Sequence, residues 1–378
     1  MSSRLCARRA ALLAAAPLLL ASVLAAGCSS SGGSAGDDRL ADTSADGTAA
    51  SDPIGRIGDP LHASVPVPLR PEGPWLESGD LSTDAPFTEA LPSWNVSGDA
   101  PFVVDVRVSA DESGDAWSPW MRIGDWGIEA REAAVVTSFE GGEIKVDVLE
   151  LESPHRRAQL RFGRADLSAP LDPADVRAFL VLSDLSGLGD RLARCAAEPW
   201  PAAAQLRVPA RSQRRAGDDI AHRVCSPTSV AMVAAFHGAS VTTRDMAATI
   251  LDPHFDIYGN WNRAVQGAFS YGVPGRLVRV SSWETVRAHL ADGRPLVASI
   301  RAREGELNGA PYTSTSGHLL VVTGLGPRET VFVNDPAASW PGSVPRRYTR
   351  AEMENVWFGR GGVAYAFEPV PEGERASE

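Results

Sequence analysis

Lysine is almost absent from this 378-residue sequence, in which Lys145 is the single lysine among 36 basic residues. We interpret the excess of arginine as codon bias in a GC-rich genome. Positive charge is also scarce relative to negative charge, and the formal net charge is −11. Nucleic acids attract proteins through basic surfaces. The charge balance therefore argues against a nucleic-acid partner.

Cysteine is scarce as well, and only Cys6, Cys28, Cys195 and Cys225 occur in the chain. The spacings of common metal sites, such as Cys-x-x-Cys and His-Glu-x-x-His, are missing. We therefore expect neither a metal ion nor a cofactor.

Residues 1–27 have the composition of an export signal, with three arginines before an apolar stretch. That stretch is about 17 residues long, which is marginal for spanning a bilayer. It ends at Leu24-Ala25-Ala26-Gly27-Cys28, the pattern of a bacterial lipobox. We expect Cys28 to carry lipid and to tether an extracytoplasmic protein to the cell membrane. An ordinary cleaved signal or a short membrane anchor are the alternatives, and Arg8-Arg9 leaves the general and twin-arginine export routes open.

The remaining chain predicts a tether and two domains. Residues 28–60 are rich in Ser, Gly, Ala and Asp and predict a flexible tether. Residues 61–192 alternate like strands, as in Phe102, Val104, Val106 and Val108, and predict an antiparallel β-sandwich. A second alternating run, from Ile144 to Val148, predicts another strand. After a Pro- and Ala-rich linker, residues 205–370 predict a mixed domain, which makes the fold class α+β.

Tryptophan is concentrated in the first domain, at positions 75, 94, 117, 120 and 126. Flat indole rings stack on sugars, so these side chains could form a carbohydrate platform. The simpler interpretation is that they fill the core of the sandwich and brace its loops. Trp117-Ser118-Pro119-Trp120 is typical of secreted sandwich modules and indicates placement, not a ligand.

Cys225 stands where a loop is expected to turn into a helix. Apolar residues spaced as on one helix face follow it, and Gly238 is a suitable C-terminal cap. A thiol is nucleophilic as its thiolate, and the positive end of a helix dipole lowers its pKa. The position therefore favours a catalytic cysteine. A disulfide between Cys195 and Cys225 is the main alternative outside the cytoplasm.

His318 and Asp335 have the spacing of a pair across a hairpin. One predicted strand begins at His318, and its return strand ends at Asp335. Their midpoint falls between Gly326 and Pro327, and opposed residues in such a hairpin lie about 5 Å apart. A carboxylate on one imidazole nitrogen would orient the ring for Cys225. Alternatively, Asp335 caps a turn while His318 packs under the sheet.

Five stretches carry a resemblance to a known family. They are Leu206-Arg207-Val208-Pro209-Ala210-Arg211-Ser212-Gln213, Cys225-Ser226-Pro227-Thr228-Ser229, Gly259-Asn260-Trp261-Asn262, Gly317-His318-Leu319-Leu320-Val321-Val322 and Val333-Asn334-Asp335-Pro336-Ala337. In order and spacing they resemble the papain-fold, bacteriocin-processing peptidases (family 39 of the cysteine peptidases), in a secreted branch without a transporter. The resemblance covers about a third of the chain and implies a papain-like peptidase domain after the β-sandwich.

The resemblance also implies roles for single residues. Cys225 would be the nucleophile, His318 the base, Asp335 the orienting acid, and Gln213 a donor of the oxyanion hole. An exposed polar residue in an arginine-rich loop is the alternative for Gln213. Ser226 departs from the family, in which many members have glycine directly after the nucleophile.

A loop before the fourth of these stretches offers candidates for a substrate groove. Tyr258 and Trp261, together with His254, could line it, although such a loop more often packs over a helix. Other histidines, such as His222 and His237, carry no predicted role.

The expected function is hydrolysis of peptide bonds through a thioester on Cys225. The expected partners are peptide or protein substrates, with cell-wall peptides among the candidates, and the membrane through the N-terminal lipid. A peptidoglycan amidase or transpeptidase of the same fold is one alternative. A non-catalytic surface binding lipoprotein is the other, and a Cys195–Cys225 disulfide would favour it.

Overall fold

The computed structural model describes residues 62–111, 116–129 and 135–369. The predicted signal, the tether and Cys28 lie outside these residues and stay predictions. Within the described ranges, none of the helices has the length and apolar character needed to cross a membrane.

The first domain consists of antiparallel strands. They are β1 His62–Val67, β2 Leu69–Glu72, β3 Trp75–Ser78, β4 Leu81–Val96, β5 Phe102–Ser109, β6 Met121–Trp126, β7 Ser138–Phe139, β8 Gly142–Lys145, β9 Val148–Arg164 and β10 Val176–Ser183. The long strands β4 and β9 each pair with several neighbours, so all ten strands form one hydrogen-bonded network around a common core. The alternating residues of β5 are buried there as predicted, and Trp94 fills the centre.

The run from Ile144 to Val148 is not one strand, and that prediction was wrong. β8 ends at Lys145, and Val146 turns the chain with a left-handed φ of 63°. Such a φ is uncommon for a β-branched residue, which is why the alternation concealed the turn. Asp147 therefore lies at the tip of a hairpin, and only 5% of its surface is exposed.

The second domain has an antiparallel sheet with helices on both of its faces. Its elements are α1 Leu188–Ala197, β11 Ala204–Gln205, α2 Cys225–Phe236, α3 Thr243–Ile250, α4 Trp261–Phe269, β12 Gly275–Arg279, α5 Trp283–Ala291, β13 Leu296–Ala302, β14 Thr315–Gly326, β15 Thr330–Asn334, β16 Pro345–Thr349, α6 Arg350–Val356 and β17 Val363–Phe367. The sheet order is β12-β17-β13-β14-β15-β16, with β11 on β14. A β-domain followed by an α+β domain confirms the predicted fold class.

Two apolar clusters lie on opposite faces of this sheet. Alternate residues of β14, such as Leu319 and Leu320, point into different clusters. One cluster joins the sheet to α2, α3 and α4, and the other joins it to α5 and α6. Helix α2 is buried on every side from Ser226 to Ala234, whereas the sequence predicted one buried face. It is enclosed because α3, α4 and β14 all pack against it.

The segment predicted as a linker is partly structured. Helix α1 continues to Ala197, and Cys195 on it is buried against α6. The two domains also pack against each other, since the described residues of both belong to one compact unit.

Helix α4 is central to that packing. The side chain of Gln266 bonds both the N–H and the C=O of Val96 in β4, each at 2.9 Å. Arg263 forms an ion pair with Asp125 at 3.3 Å, and both side chains are almost fully buried. The tip residue Asp147 accepts a hydrogen bond from the backbone N–H of Trp261. The first domain thus holds the start and the middle of a helix that belongs to the second.

Candidate active site

Cys225 is the first residue of α2, as predicted. The first backbone N–H groups of a helix have no partner within it, and their partial positive charge favours an anion nearby. The Cys225 thiol is hydrogen-bonded to the ring of His318 and to the backbone N–H groups of Ser226 and Leu319. Every one of these contacts favours a thiolate at this position.

The His318 ring connects the thiol to a carboxylate. Its Nε2 lies 2.8 Å from Oδ1 of Asp335, and both side chains are buried. Because Nε2 is engaged with Asp335, the other ring nitrogen, Nδ1, remains for Cys225. The structure therefore brings together the three residues that the sequence predicted, Cys225, His318 and Asp335.

The strand register differs from the predicted one. β14 and β15 place Val321 opposite Asn334, so Asp335 follows the end of the ladder, and His318 pairs instead with Ile300 of β13. The shift is two residues, an even number, so both side chains still point to one face. They meet diagonally, which long side chains can span.

The turn between these strands explains the shift. Arg328 and Glu329 have left-handed φ values of 56° and 55°, which place the turn later than the predicted midpoint. A register irregularity between Val322 and Gly324 takes one residue off the offset that the turn produces, which leaves the shift of two. Left-handed residues in tight turns are usually glycine or asparagine, so the sequence favoured Gly326 as the centre.

Two tyrosines that the sequence analysis missed complete the surroundings of Asp335. The hydroxyls of Tyr312 and Tyr348 donate to its Oδ2 at 3.2 and 3.3 Å, and the N–H of Ala337 donates to Oδ1 at 3.0 Å. The ring of Tyr312 also stacks edge-on against His318, with centroids 4.9 Å apart. Tyr312 lies on an irregular loop, so no periodicity in the sequence could indicate its position.

The protonation of the group follows from these contacts. Burial disfavours every charge, yet the hydrogen bonds with Asp335 and Cys225 raise the pKa of His318 above its ordinary value. Burial likewise opposes ionisation of Cys225 and Asp335, but His318 lowers the pKa of both groups. The arrangement thus favours a thiolate beside an imidazolium, which a carboxylate stabilises from the other side.

The predicted alternative of a Cys195–Cys225 disulfide is wrong, because both cysteines are free. They belong to apolar clusters on opposite faces of the sheet. Burial and the carboxylate of Glu354 raise the pKa of Cys195 to about 12. Cys195 is therefore a buried, inert thiol.

Gln213 is buried, not exposed in solvent. Its Nε2 donates to the carbonyl of Ala221 at 2.9 Å, and its backbone N–H donates to the carbonyl of Pro336 at 2.9 Å. The segment of Gln213 is therefore docked on the residues that follow Asp335. Within the described residues, the amide oxygen of Gln213 is buried without a hydrogen-bond partner, so a role in an oxyanion hole stays a prediction.

The predicted groove residues lie near the start of α2. Tyr258 is half-buried next to Val224, and the guanidinium of Arg223 covers its ring at 5.2 Å. Trp261 begins α4 and packs against the cluster around α2. His254 is exposed and stacks on Phe255. Contact with a substrate stays a prediction for Tyr258 and Trp261.

The surface tryptophans of the first domain alternate with arginines. Arg107 and Arg161 both lie over the ring of Trp120, each 4.4 Å from its centroid. Arg107 and Arg157 do the same for Trp117. Because guanidinium groups lie over these rings, the arrangement supports the interpretation that the tryptophans brace the domain, and it argues against a carbohydrate platform.

Chemically, a thiol, an imidazole and a carboxylate in this arrangement can act as a nucleophile, a proton carrier and an orienting acid. Among residues 62–111, 116–129 and 135–369, no cluster of His, Cys, Asp and Glu could hold a metal ion.

Two family comparisons agree with this geometry. Residues 205–365 match the Peptidase_C39 like family, and residues 72–169 match the Peptidase C39 N-terminal domain. No curated protein matches the chain significantly. The second match extends the relationship to the β-domain, which the sequence analysis had not connected with any family.

Proposed function

Since this chain combines a C39-like cysteine peptidase domain with the N-terminal domain of such peptidases, we propose that it hydrolyses peptide bonds with Cys225, His318 and Asp335 as a catalytic triad. One observation carries the proposal. The Cys225 thiol, the His318 ring and the Asp335 carboxylate form a continuous hydrogen-bonded chain at the start of a buried helix.

Acylation begins with attack of the Cys225 thiolate on the carbonyl carbon of the substrate, which forms a C–S bond. His318 donates its proton to the leaving nitrogen as the C–N bond breaks, and an amine departs. A thioester remains on Cys225. A water then attacks that thioester while neutral His318 accepts one of its protons. The C–S bond breaks and a carboxylic acid leaves, which restores the Cys225 thiolate and the protonated His318.

The negative charge that develops on the substrate oxygen needs donors. The second N–H of the Gln213 amide and the free backbone N–H of Cys225 would supply them. Removing one such donor in other hydrolases costs on the order of 100- to 1,000-fold in kcat.

Asp335 would hold the ring of His318 in one orientation, and Tyr312 and Tyr348 would in turn hold the carboxylate. Both tyrosines act through Asp335 and are positioning residues.

The location of the enzyme is part of the proposal. The apolar N-terminal stretch and the lipobox at Cys28 support export and lipid anchoring outside the cytoplasm. Peptides, secreted proteins and cell-wall peptides are the substrates that such a location makes accessible.

A hydrolysis assay with the soluble fragment, residues 29–378, tests the proposal. A mixed peptide library, unfolded proteins and purified wall fragments are incubated in parallel, and new termini are identified by mass spectrometry. We expect cleavage of peptides that Cys225→Ala abolishes and that Cys195→Ala, a matched removal of the buried thiol, preserves. Cleavage of wall fragments alone would favour an amidase, and binding without cleavage would favour the non-catalytic alternative.

A further inference from the structure

A second concave site lies apart from the thiol. Its volume is about 680 Å³, and its walls come from the segments 210–216 and 239–244 and from Pro341. The second of these segments follows the C-terminal end of α2, whereas Cys225 begins that helix. Twelve helical residues span about 18 Å, so this wall lies at the far end of α2 from the thiol, whereas the first wall consists of neighbours of Gln213.

The charges that line the cavity are all positive. Arg211, Arg215 and Arg244 contribute guanidinium groups, and no lining residue is acidic. Arg244 is compensated, because it makes two hydrogen bonds to the carboxylate of Asp219, at 2.6 and 3.0 Å. Arg211 and Arg215 form no such ion pair within the described residues.

Arg211 and Arg215 lack a carboxylate partner among the residues that the structure describes. Nη1 of Arg211 donates to the carbonyl of Val241 at 2.5 Å, and burial lowers the pKa of this guanidinium. Arg215 is exposed, and no hydrogen bond or ion pair within the described ranges engages its side chain. Two uncompensated positive charges thus face one cavity in a chain with a net charge of −11.

Hydroxyl groups supply further donors. Ser240 and Thr243 line the same cavity, whereas the hydroxyl of Thr242, which also lines it, already donates to the carboxylate of Asp245 at 2.6 Å. Guanidinium groups present several N–H donors in a fork that fits the oxygens of a phosphate, and hydroxyls add single donors. Charge, donor type and concavity therefore indicate the same kind of ligand.

We propose that this cavity binds a phosphate-type dianion between Arg211 and Arg215. A dianion matches the two uncompensated charges, whereas a monoanion leaves one of them. Either inorganic phosphate or the phosphoryl group of a small phosphate ester has this chemistry. The two arginines flank Gln213 by two residues on each side, so bound phosphate would also restrain the segment that carries Gln213.

Binding is tested on the soluble fragment, residues 29–378, by calorimetric titration at constant ionic strength. Inorganic phosphate and glycerol 3-phosphate are the probes, with acetate as the monoanion. We expect saturable binding of a phosphate probe and much weaker binding of acetate. The probe that binds more tightly identifies the free ion or the ester as the source.

Arg215→Gln is the informative variant, because the described part of the chain gives this side chain no partner whose loss would destabilise the fold. One charge-assisted contact fewer should weaken phosphate binding on the order of 10- to 100-fold. Arg207→Gln is the matched control, an exposed arginine outside the cavity that no described contact engages. Unchanged binding by Arg215→Gln, equal loss in both variants, or equal binding of acetate and phosphate would overturn the proposal.

The restraint on Gln213 has its own test and rests on the proposed function. Phosphate should change the rate of peptide hydrolysis by the unmodified chain but not by Arg215→Gln. An equal response of both chains would refute this coupling. A chain that binds phosphate but hydrolyses no peptide would refute the peptidase proposal and leave the anion site intact.

Discussion

The reactivity of Cys225 should depend on His318 most strongly at low pH. His318→Ala removes the hydrogen bond and the positive charge that lower the pKa of the thiol, while burial, which raises it, remains. An ordinary thiol with a pKa near 8.5 is only about 0.3% ionised at pH 6. In the unmodified protein, the ion pair should keep most of Cys225 ionised at that pH.

The sign of the pH dependence follows from both shifts. The thiolate–imidazolium pair exists between the lowered pKa of Cys225 and the raised pKa of His318. Alkylation of Cys225 should therefore change little between pH 6 and pH 8. In His318→Ala it should fall about tenfold for each pH unit below the thiol pKa, as for a simple acid.

At pH 6, Cys225 should be alkylated about one to two orders of magnitude faster in the unmodified protein than in His318→Ala. Ionisation alone would give a factor of about 300, but thiolates of lower pKa are weaker nucleophiles, with a Brønsted slope of about 0.4–0.5, which offsets part of the gain.

Mass spectrometry after timed iodoacetamide labelling without reductant measures this rate at each pH. Cys195 is an internal control in the same molecule, because it is 2% exposed and its pKa is about 12, so it should stay unlabelled. Equal rates for the unmodified protein and His318→Ala at pH 6, with both chains folded, would refute the ion pair. Labelling of Cys195 as fast as Cys225 would show that the Cys195 thiol is not buried.

Three other predictions follow from the contacts. Tyr312→Phe removes a hydrogen-bond donor to Asp335 but keeps the aromatic ring against His318, so kcat/KM should fall about tenfold. The acidic limb of the pH profile of kcat/KM should move to higher pH, because the pKa of Asp335 rises without this donor. An acidic limb that does not move would contradict the positioning role of Tyr312. Gln266→Leu leaves the N–H and the C=O of Val96 without side-chain partners and should lower the free energy of unfolding by about 2–5 kcal/mol, measured by urea titration. The control Ser270→Ala removes only the hydrogen bond from its hydroxyl to the carbonyl of Gln266 and should lower the free energy of unfolding by less than about 1 kcal/mol. A fragment of residues 205–369 should lack a cooperative thermal transition, since it loses every contact of α4 with the first domain, and a fragment as stable as the whole chain would show those contacts to be dispensable.

Local patterns predicted the helix of Cys225 and the strands of His318 and Asp335, because each has a regular period and a clear boundary. The packing around α2 was not predictable in the same way. Its full burial depends on α3, α4 and β14, which come from distant parts of the sequence. A hydrophobic pattern records which residues avoid water but not how many neighbours surround the helix.

The pairing of His318 with Asp335 was predicted for a reason that is only half correct. Side chains of a strand alternate between its two faces, so a register shift of two residues left His318 and Asp335 on the same face. The turn itself was misplaced, because Arg328 and Glu329 adopt a conformation that their residue types rarely take. Tyr312 and Tyr348 were beyond prediction, since their approach to Asp335 depends on a loop and on a strand that pairs only after the domain has folded.

Asp147 shows how the first domain bears on the site. The sequence placed it on the polar face of a strand, but the turn at Val146 brings it to the start of α4, where it accepts from the N–H of Trp261. Burial raises the pKa of Asp147 to about 7, although the hydrogen bonds from the backbone oppose the shift. Because the pKa is raised in the folded state, the burial of Asp147 costs least at acidic pH, and stability falls as the pH rises through about 7. The wall of the predicted groove that begins at Trp261 is therefore held by a carboxylate of the other domain, and the β-domain is a structural part of the site.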